Sequence, residues 1–345
     1  MDFNGLGSAC LAVPVLKALE EAHPGVRYAY PHNALLADSA IREVSGLGGL
    51  IALTPPLWRR FYRKDWDEMA AFIDGHAIDT VVNFRNRDLS VDPAYERFRD
   101  WYSARGRPLS WYDLYGEQNV PSLPGQERMR RVLTRAGLAP ARHLEQEWLR
   151  PLAEPPGGER PVRRVGVFCS ASTPSKRWPI VYWERLVGLL AAEHDVVIAV
   201  FSGSAGSEAD AALDLIERTS GVLSNDRVHF VPVGTVTQLV SQLAGLSVLV
   251  VGDTGVGHLA AAAGVPTVSL FLSTDPVAWA PAAERVLTVQ GLIGARCPNQ
   301  RPLQGNCTHY YNPCDAPCRW DVQPQTVAGT VHGLLAAAGA QDCPA

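Results

Sequence analysis

A rhythm in residues 164–271 constrains the fold more than any other feature of this chain. Short apolar runs end in small or polar residues, and a segment with helical apolar spacing follows each. Arg164–Phe168, Val196–Phe201, Val228–Val231, Ser247–Val251 and Thr267–Phe271 read as strands. Trp183–His194, Glu208–Thr219, Thr237–Ala244 and His258–Ala263 read as the helices between them. Runs this short and this uniformly apolar suit strands buried on both faces, and their alternation with helices implies an α/β fold with a covered parallel sheet. The first half repeats the alternation less clearly. Ala9–Ala22 places Leu11, Val15, Leu16 and Leu19 on one helical face; Val26–Tyr30 and Thr80–Phe84 read as strands, and Trp66–Asp74 and Gln126–Gly137 as helices.

Between the halves, Pro151–Pro161 is rich in proline, glycine and charge and has no apolar period, so it reads as a linker. A chain of 345 residues accommodates two domains of ordinary size. The expected layout is a first domain over 1–150, the linker 151–161, a second domain over 162–325, and a C-terminal helix and tail over 326–345. Two such α/β halves place a ligand cleft between them, at the C-terminal ends of the strands. The start is unusual for such a domain. Only Met1-Asp2-Phe3 precedes Asn4-Gly5-Leu6-Gly7, so the first strand is very short or the sequence begins late.

Composition narrows the classes. At 47% hydrophobic and 19% charged residues the chain is globular. A net charge of −4 argues against nucleic-acid binding through bulk positive charge. No run approaches the roughly 20 apolar residues of a membrane span, and the N-terminus lacks the basic and apolar regions of a secretory signal. A cytoplasmic protein is expected, with peripheral membrane contact left open. Of 31 basic residues only Lys17, Lys64 and Lys176 are lysines. That bias suggests a GC-rich genome and makes Lys176 less ordinary as surface decoration.

Three segments carry chemistry. Ser170–Pro179 follows a strand and offers hydroxyls and the Lys176-Arg177 pair ahead of a helix, which suits diphosphate oxygens or an exposed polar loop. Asp253-Thr254-Gly255-Val256-Gly257-His258 follows another strand and exposes backbone N–H groups at a helix start, a second anion site. Asp253 there suits sugar hydroxyls or a helix cap, and His258 suits the site or a structural role. Glu208, at the start of a helix after a strand, suits ribose hydroxyls or the first-turn dipole. The N-terminal loop Asn4-Gly5-Leu6-Gly7-Ser8 lets backbone approach a ligand or is a tight turn.

Together these segments resemble glycosyltransferase family 9, the heptosyltransferase-like family of GT-B fold. Lys176-Arg177-Trp178-Pro179 looks like its Lys-x-Trp-Pro motif, and Asp253–Ala262 like its Asp-Thr-Gly-x-x-His-Leu-x-Ala-Ala signature. Gly264-Val265-Pro266-Thr267, Thr274-Asp275-Pro276 and Trp279-x-Pro281 continue in the family's order; Cys318, Val322, Pro324 and Val327 resemble its tail. The resemblance implies two Rossmann-like domains with parallel sheets facing a central cleft. It implies inverting transfer of a sugar, typically from ADP-heptose, with no metal at the diphosphate. By matching position, Ser172, Thr173, Lys176 and the Thr254–His258 loop hold the diphosphate, Asp253 contacts the sugar and Glu208 the ribose. Asn4, Gly5 and Gly7 lie on the acceptor side.

The chain departs from the family in two places. Ser8 stands where members often carry the aspartate base, and serine is a poor base at neutral pH. Asp2 or another carboxylate, or an acceptor that needs less help, would take over; a non-catalytic nucleotide-sugar binder is the rival reading. Secondly, Cys297, Cys307, Cys314 and Cys318 crowd into the segment 297–318 without the usual Cys-x-x-Cys pair. Four thiolates suit structural zinc or iron, with His309 as a substitute; buried thiols or a disulfide are the other readings. The aromatic and arginine-rich stretches Trp58–Tyr62 and Trp101–Tyr115 suit acceptor stacking or ordinary core. The GC-rich bias suggests an actinobacterial source, and hence a small secondary metabolite as acceptor; a lipopolysaccharide core or a protein are the alternatives.

Overall fold

The computed structural model describes the chain outside residues 1–4, 32–33, 55–65, 84–92, 107–108, 114–122, 154–162, 172, 193–195, 202–206, 221–226, 233, 298–299, 302–305, 308–316 and 342–345. The chain falls into two compact units, Met1–Glu145 and Gln146–Ala345. Among the described residues no helix is long and apolar enough to cross a membrane.

Among the described residues the first unit holds two parallel strand pairs. β1 (Tyr28–Pro31) pairs with β2 (Leu50–Thr54), and β3 (Thr80–Asn83) with β4 (Ser110–Asp113). Its longest helix, Leu6–Ala22, buries Ala9, Leu11, Val13, Val15, Leu16 and Leu19. That helix begins three residues before the expected Ala9, because Gly5 is extended at its N-cap. Gly7 and Ser8 therefore sit in the first helical turn, not in a loop. The Glu20 carboxylate ties the helix to the strand entries: it accepts from Tyr28 Oη at 2.6 Å, Gly49 N at 2.9 Å and Gly48 N at 3.0 Å. Gly49 has no alternative there, since a Cβ would lie 2.5 Å from the Val26 carbonyl.

Helices Trp66–Gly75 and Pro93–Ser103 close a small core of Met69, Ala70, Ile73, Phe98 and Tyr102. Tyr102 is 2% exposed and donates to Asp74 Oδ1 at 2.7 Å, and Trp101 packs on Trp66 with ring centres 5.5 Å apart. Tyr102 is thus core and not an acceptor platform, as burying an aromatic body with its hydroxyl satisfied favours. The stretch Trp58–Tyr62 lies outside the described residues.

Among the described residues the second unit is built on a six-stranded, all-parallel sheet, and Gln300–Arg301 and Asn306–Cys307 form a separate short antiparallel pair. β5 (Arg163–Phe168), β6 (Val196–Phe201), β7 (Val228–Val231), β8 (Val248–Gly252), β9 (Thr267–Phe271) and β10 (Val286–Gln290) lie in the order β10-β9-β8-β5-β6-β7. Counted from β5, that is the doubly wound order 3-2-1-4-5-6, and the strand order reverses between β5 and β8. Every residue of β8 and β9 is buried, which explains their unbroken apolar sequence. β10 escaped the sequence reading because it is an edge strand whose side chains are half exposed or exposed, so its run is neither uniformly apolar nor cleanly alternating.

Helix Ile180–Ala191 starts three residues before the expected Trp183, behind Pro179 at its N-cap. Helix Pro324–Gln341 lays Val327, Ala328, Val331 and Leu335 into the same core.

Candidate active site

Three loops at the C-terminal ends of β5, β8 and β9 build the site. After β5, Pro174–Lys176 forms one 3₁₀ turn, closed by Lys176 N donating to the Thr173 carbonyl at 3.0 Å. Pro174 at its start and Pro179 at the next helix leave few conformations for the four residues between them. Arg177 Nε donates to the Ala171 carbonyl at 2.7 Å, so this arginine braces the loop. Trp178 is 3% exposed, stands edge-on to Trp183 at 5.0 Å and donates through Nε1 to the Val322 carbonyl at 3.0 Å. The Lys-x-Trp-Pro stretch is therefore nailed to the core and presents Lys176 beyond the sheet.

After β8, Thr254 is the N-cap of helix Gly255–Ala262, with extended backbone and no side-chain capping bond. The helix begins three residues before the expected His258. That shift settles one alternative for Asp253: it precedes the cap and does not cap the helix. Instead Lys176 Nζ lies 2.7 Å from Asp253 Oδ2 and donates to the Asp253 carbonyl at 3.4 Å. The side chains are 15% and 7% exposed, and apart from this ion pair no aligned donor reaches Oδ2. The pair spans the point where strand order reverses, the place where ligands of doubly wound sheets bind.

His258 is buried one helical turn inside. Burial, reinforced by the Lys176 charge, pushes its pKa down to about 4 against the opposing pull of Asp253 and a hydrogen bond with the Trp279 backbone. It is neutral at pH 7. A neutral imidazole beside the lysine leaves the site with one compensated ion pair and the positive end of a helix.

The third loop, after β9, carries the Thr274-Asp275-Pro276 stretch, which the sequence reading matched to the family without assigning it a role. Ser273 Oγ donates to Ser175 Oγ at 2.9 Å, both side chains being buried, which locks this loop to the Lys176 turn. Thr254 Oγ1 and Thr274 Oγ1 are buried without a hydrogen-bond partner. Asp275 caps the short helix Pro276–Trp279 by accepting from Val277 N at 2.9 Å.

The structure thus brings together Thr173, Lys176, Asp253, Thr254, Gly255, Val256, Gly257 and His258 at the ends of β5 and β8. Ser172, Asp2 and Asn4 lie outside the described residues, as does the side chain of Glu208, whose backbone is in the first turn of helix Ser207–Ser220 after β6. Gly5, Gly7 and Ser8 belong to the other unit. Of the four clustered cysteines, Cys297, Cys307 and Cys318 form no disulfide and Cys314 is outside the described residues. Among the described residues no three His, Cys, Asp or Glu side chains converge as a metal would require, so these three thiols alone are not a ligand set.

Comparison with known proteins agrees with this geometry. Residues 136–303 match the model of glycosyltransferase family 9 (heptosyltransferase). The chain is 25% identical to lipopolysaccharide heptosyltransferase 1 of Pseudomonas aeruginosa over 309 residues, which covers 79% of this chain and 78% of that protein. Among solved structures it resembles the Escherichia coli heptosyltransferase WaaC with ADP, at a TM-score of 0.63 and 14% identity, covering 95% of this chain and 97% of the other. It also resembles the Escherichia coli ADP-heptose lps heptosyltransferase II, at a TM-score of 0.62 and 15% identity, covering 97% of both chains. The fold is therefore GT-B, and residues 136–303 carry the match to glycosyltransferase family 9 that marks the chain as heptosyltransferase-like.

Proposed function

We propose that this protein transfers a heptose from ADP-heptose to a hydroxyl of a lipopolysaccharide-core saccharide, inverting the anomeric centre in one displacement. The Lys176–Asp253 pair at the strand-order reversal carries this reading. A diphosphate at the β5 and β8 loops meets the Lys176 ammonium charge and the N-terminal backbone N–H groups of helix Gly255–Ala262. In the transfer the bond from the anomeric carbon to the diphosphate oxygen breaks as the acceptor oxygen bonds to that carbon. Negative charge then grows on the departing diphosphate. Lys176 and the helix N-terminus stabilise that charge in place, which removes the need for a metal there. Asp253, held by Lys176, faces the sugar; Thr173 and Ser172 complete the phosphate contacts, and Glu208 takes the ribose.

The acceptor proton needs a base. Ser8 occupies the family's position for it, in the first turn of helix Leu6–Ala22, and a hydroxyl does not serve at neutral pH. A carboxylate elsewhere, such as Asp2, takes the proton in this scheme. The acceptor assignment rests on the curated relatives, which are lipopolysaccharide heptosyltransferases. The small-metabolite acceptor drew only on composition and has no support among them.

Calorimetry with ADP-heptose, UDP-glucose and GDP-mannose, followed by product analysis with a deacylated lipopolysaccharide core, tests the proposal. Selective ADP-heptose binding with ADP release and a heptosylated core is the expected result. Equal affinity for the three donors would defeat the donor assignment, and ADP release without core modification would defeat the acceptor.

A further inference from the structure

We propose that Ser273 and Arg319 are positioning residues for Lys176, which hold its two chain neighbours so that the ammonium stays where a diphosphate meets it. The inference rests on the diphosphate site proposed above. Lys176 ends the three-residue 3₁₀ turn Pro174–Lys176. Such a turn has few hydrogen bonds of its own, and their geometry is poor. Here they run from Lys176 N to the Thr173 carbonyl at 3.0 Å and from Arg177 N to the Pro174 carbonyl at 3.1 Å. Two side chains from far along the chain grip the turn on either side of the lysine. Ser273 Oγ donates to Ser175 Oγ at 2.9 Å, and both residues are 2% exposed. Arg319 Nε donates to the Arg177 carbonyl at 2.8 Å.

The two grips are tied to each other behind the turn, because helix Leu292–Arg296 reaches both. Gly294 packs so closely that a Cβ would lie 2.6 Å from the carbonyl of Leu272, the residue before Ser273. Ile293 N donates at 2.6 Å to Oδ2 of Asp321, which shares helix Cys318–Asp321 with Arg319. The Ser273 carbonyl is held as well, by Cys307 N at 3.1 Å. A shift of either grip therefore has to carry its neighbours with it. Position matters for Lys176 because an ammonium stabilises a departing diphosphate only as far as it is preorganised, and small misplacements are costly. Its flexible four-carbon stem adds freedom that a loose backbone would leave unchecked. Loss of a grip keeps the charge in the protein and takes it out of its place.

The test is a double-mutant cycle on ADP affinity, read by calorimetry on the full chain. Ser273→Ala and Arg319→Met each remove one grip, and each is expected to weaken ADP binding about fivefold. Arg319→Gln sets an amide N–H as many bonds from Cα as Nε and should keep the affinity within about twofold of wild type. In a Lys176→Ala background neither Ser273→Ala nor Arg319→Met should weaken ADP binding further, because both act through the lysine. Equal losses in the two backgrounds would make the grips general supports of the fold and overturn the proposal. So would unchanged affinity in both single variants, or a loss in Arg319→Gln as large as in Arg319→Met. If Ser273→Ala does not fold, the two Arg319 variants decide alone, since that side chain is only half-buried. Lys176→Ala that binds ADP as tightly as wild type would defeat the diphosphate site and this inference with it. Weak binding in Lys176→Ala beside unaffected grip variants would defeat this inference alone.

Discussion

Lys176 Nζ sits 2.7 Å from Asp253 Oδ2 across the reversal of strand order, although 77 positions separate the two residues in the chain. Their opposite charges meet in a largely buried setting, with side chains 15% and 7% exposed. Lys176→Ala removes the cation at the proposed diphosphate site and is expected to lower turnover about 10²–10³-fold, the effect of losing one preorganised charge stabiliser. It also strands a 7% exposed carboxylate, at a cost of about 3 kcal/mol that urea melts would register. Adding Asp253→Asn should restore much of that stability and none of the turnover. A double variant as active as the wild type would show that the pair is only structural.

His258 gives a pH signature. Its pKa falls from 6.5 to about 4 because burial disfavours the imidazolium. Between those values the unfolded chain binds a proton that the folded one does not, so stability rises with pH across that window. It is level above about pH 6.5. The full drop from pH 6.5 to 4 is roughly 3 kcal/mol. His258→Gln should flatten this part of the stability profile; an unchanged slope in the variant would assign it to other groups.

The sequence made the second unit legible because its strands are extreme. Val248-Leu249-Val250-Val251 and Thr267–Phe271 are buried at every position, and nothing but a covered parallel strand requires that. Helix starts were misplaced by three residues at Gly255 and Ile180 for one shared reason. Their N-caps, Thr254 and Pro179, form no side-chain capping bond, so apolar spacing alone marked the start. Ser273 could not be found as part of the site, because its bond to Ser175 links positions 98 residues apart. Tyr102 misled in the opposite direction: a tyrosine among aromatics looks like a sugar platform until Asp74 is seen to accept from its hydroxyl.

Trp178 tests whether the lysine loop depends on its anchor. Trp178→Phe keeps an aromatic ring against Trp183 and removes the donor to the Val322 carbonyl. Leaving that buried carbonyl without its donor should cost about 1–3 kcal/mol. ADP affinity should weaken with it, because the loop that presents Lys176 loses its fixed end. Thermal denaturation and calorimetry on the same preparation would show both. A lower melting point with unchanged ADP affinity would mean that the turn Pro174–Lys176 holds Lys176 without help.

Ser8 decides how far this chain has moved from the family's chemistry. It lies in the first turn of helix Leu6–Ala22, behind an extended Gly5 that carries no side-chain cap. A general base contributes about 10²–10⁴-fold to such a step, and a serine hydroxyl does not ionise near pH 7. Ser8→Ala is therefore expected to leave kcat within about fivefold of wild type, well short of the loss of a base. Ser8→Asp places a carboxylate at the position proposed above for the family's base. If the acceptor oxygen passes that position, kcat should rise and its pH profile gain a limb in the carboxylate range. A loss of about 10²-fold or more in Ser8→Ala would show that the serine itself handles the proton, and the search for a displaced carboxylate would end there.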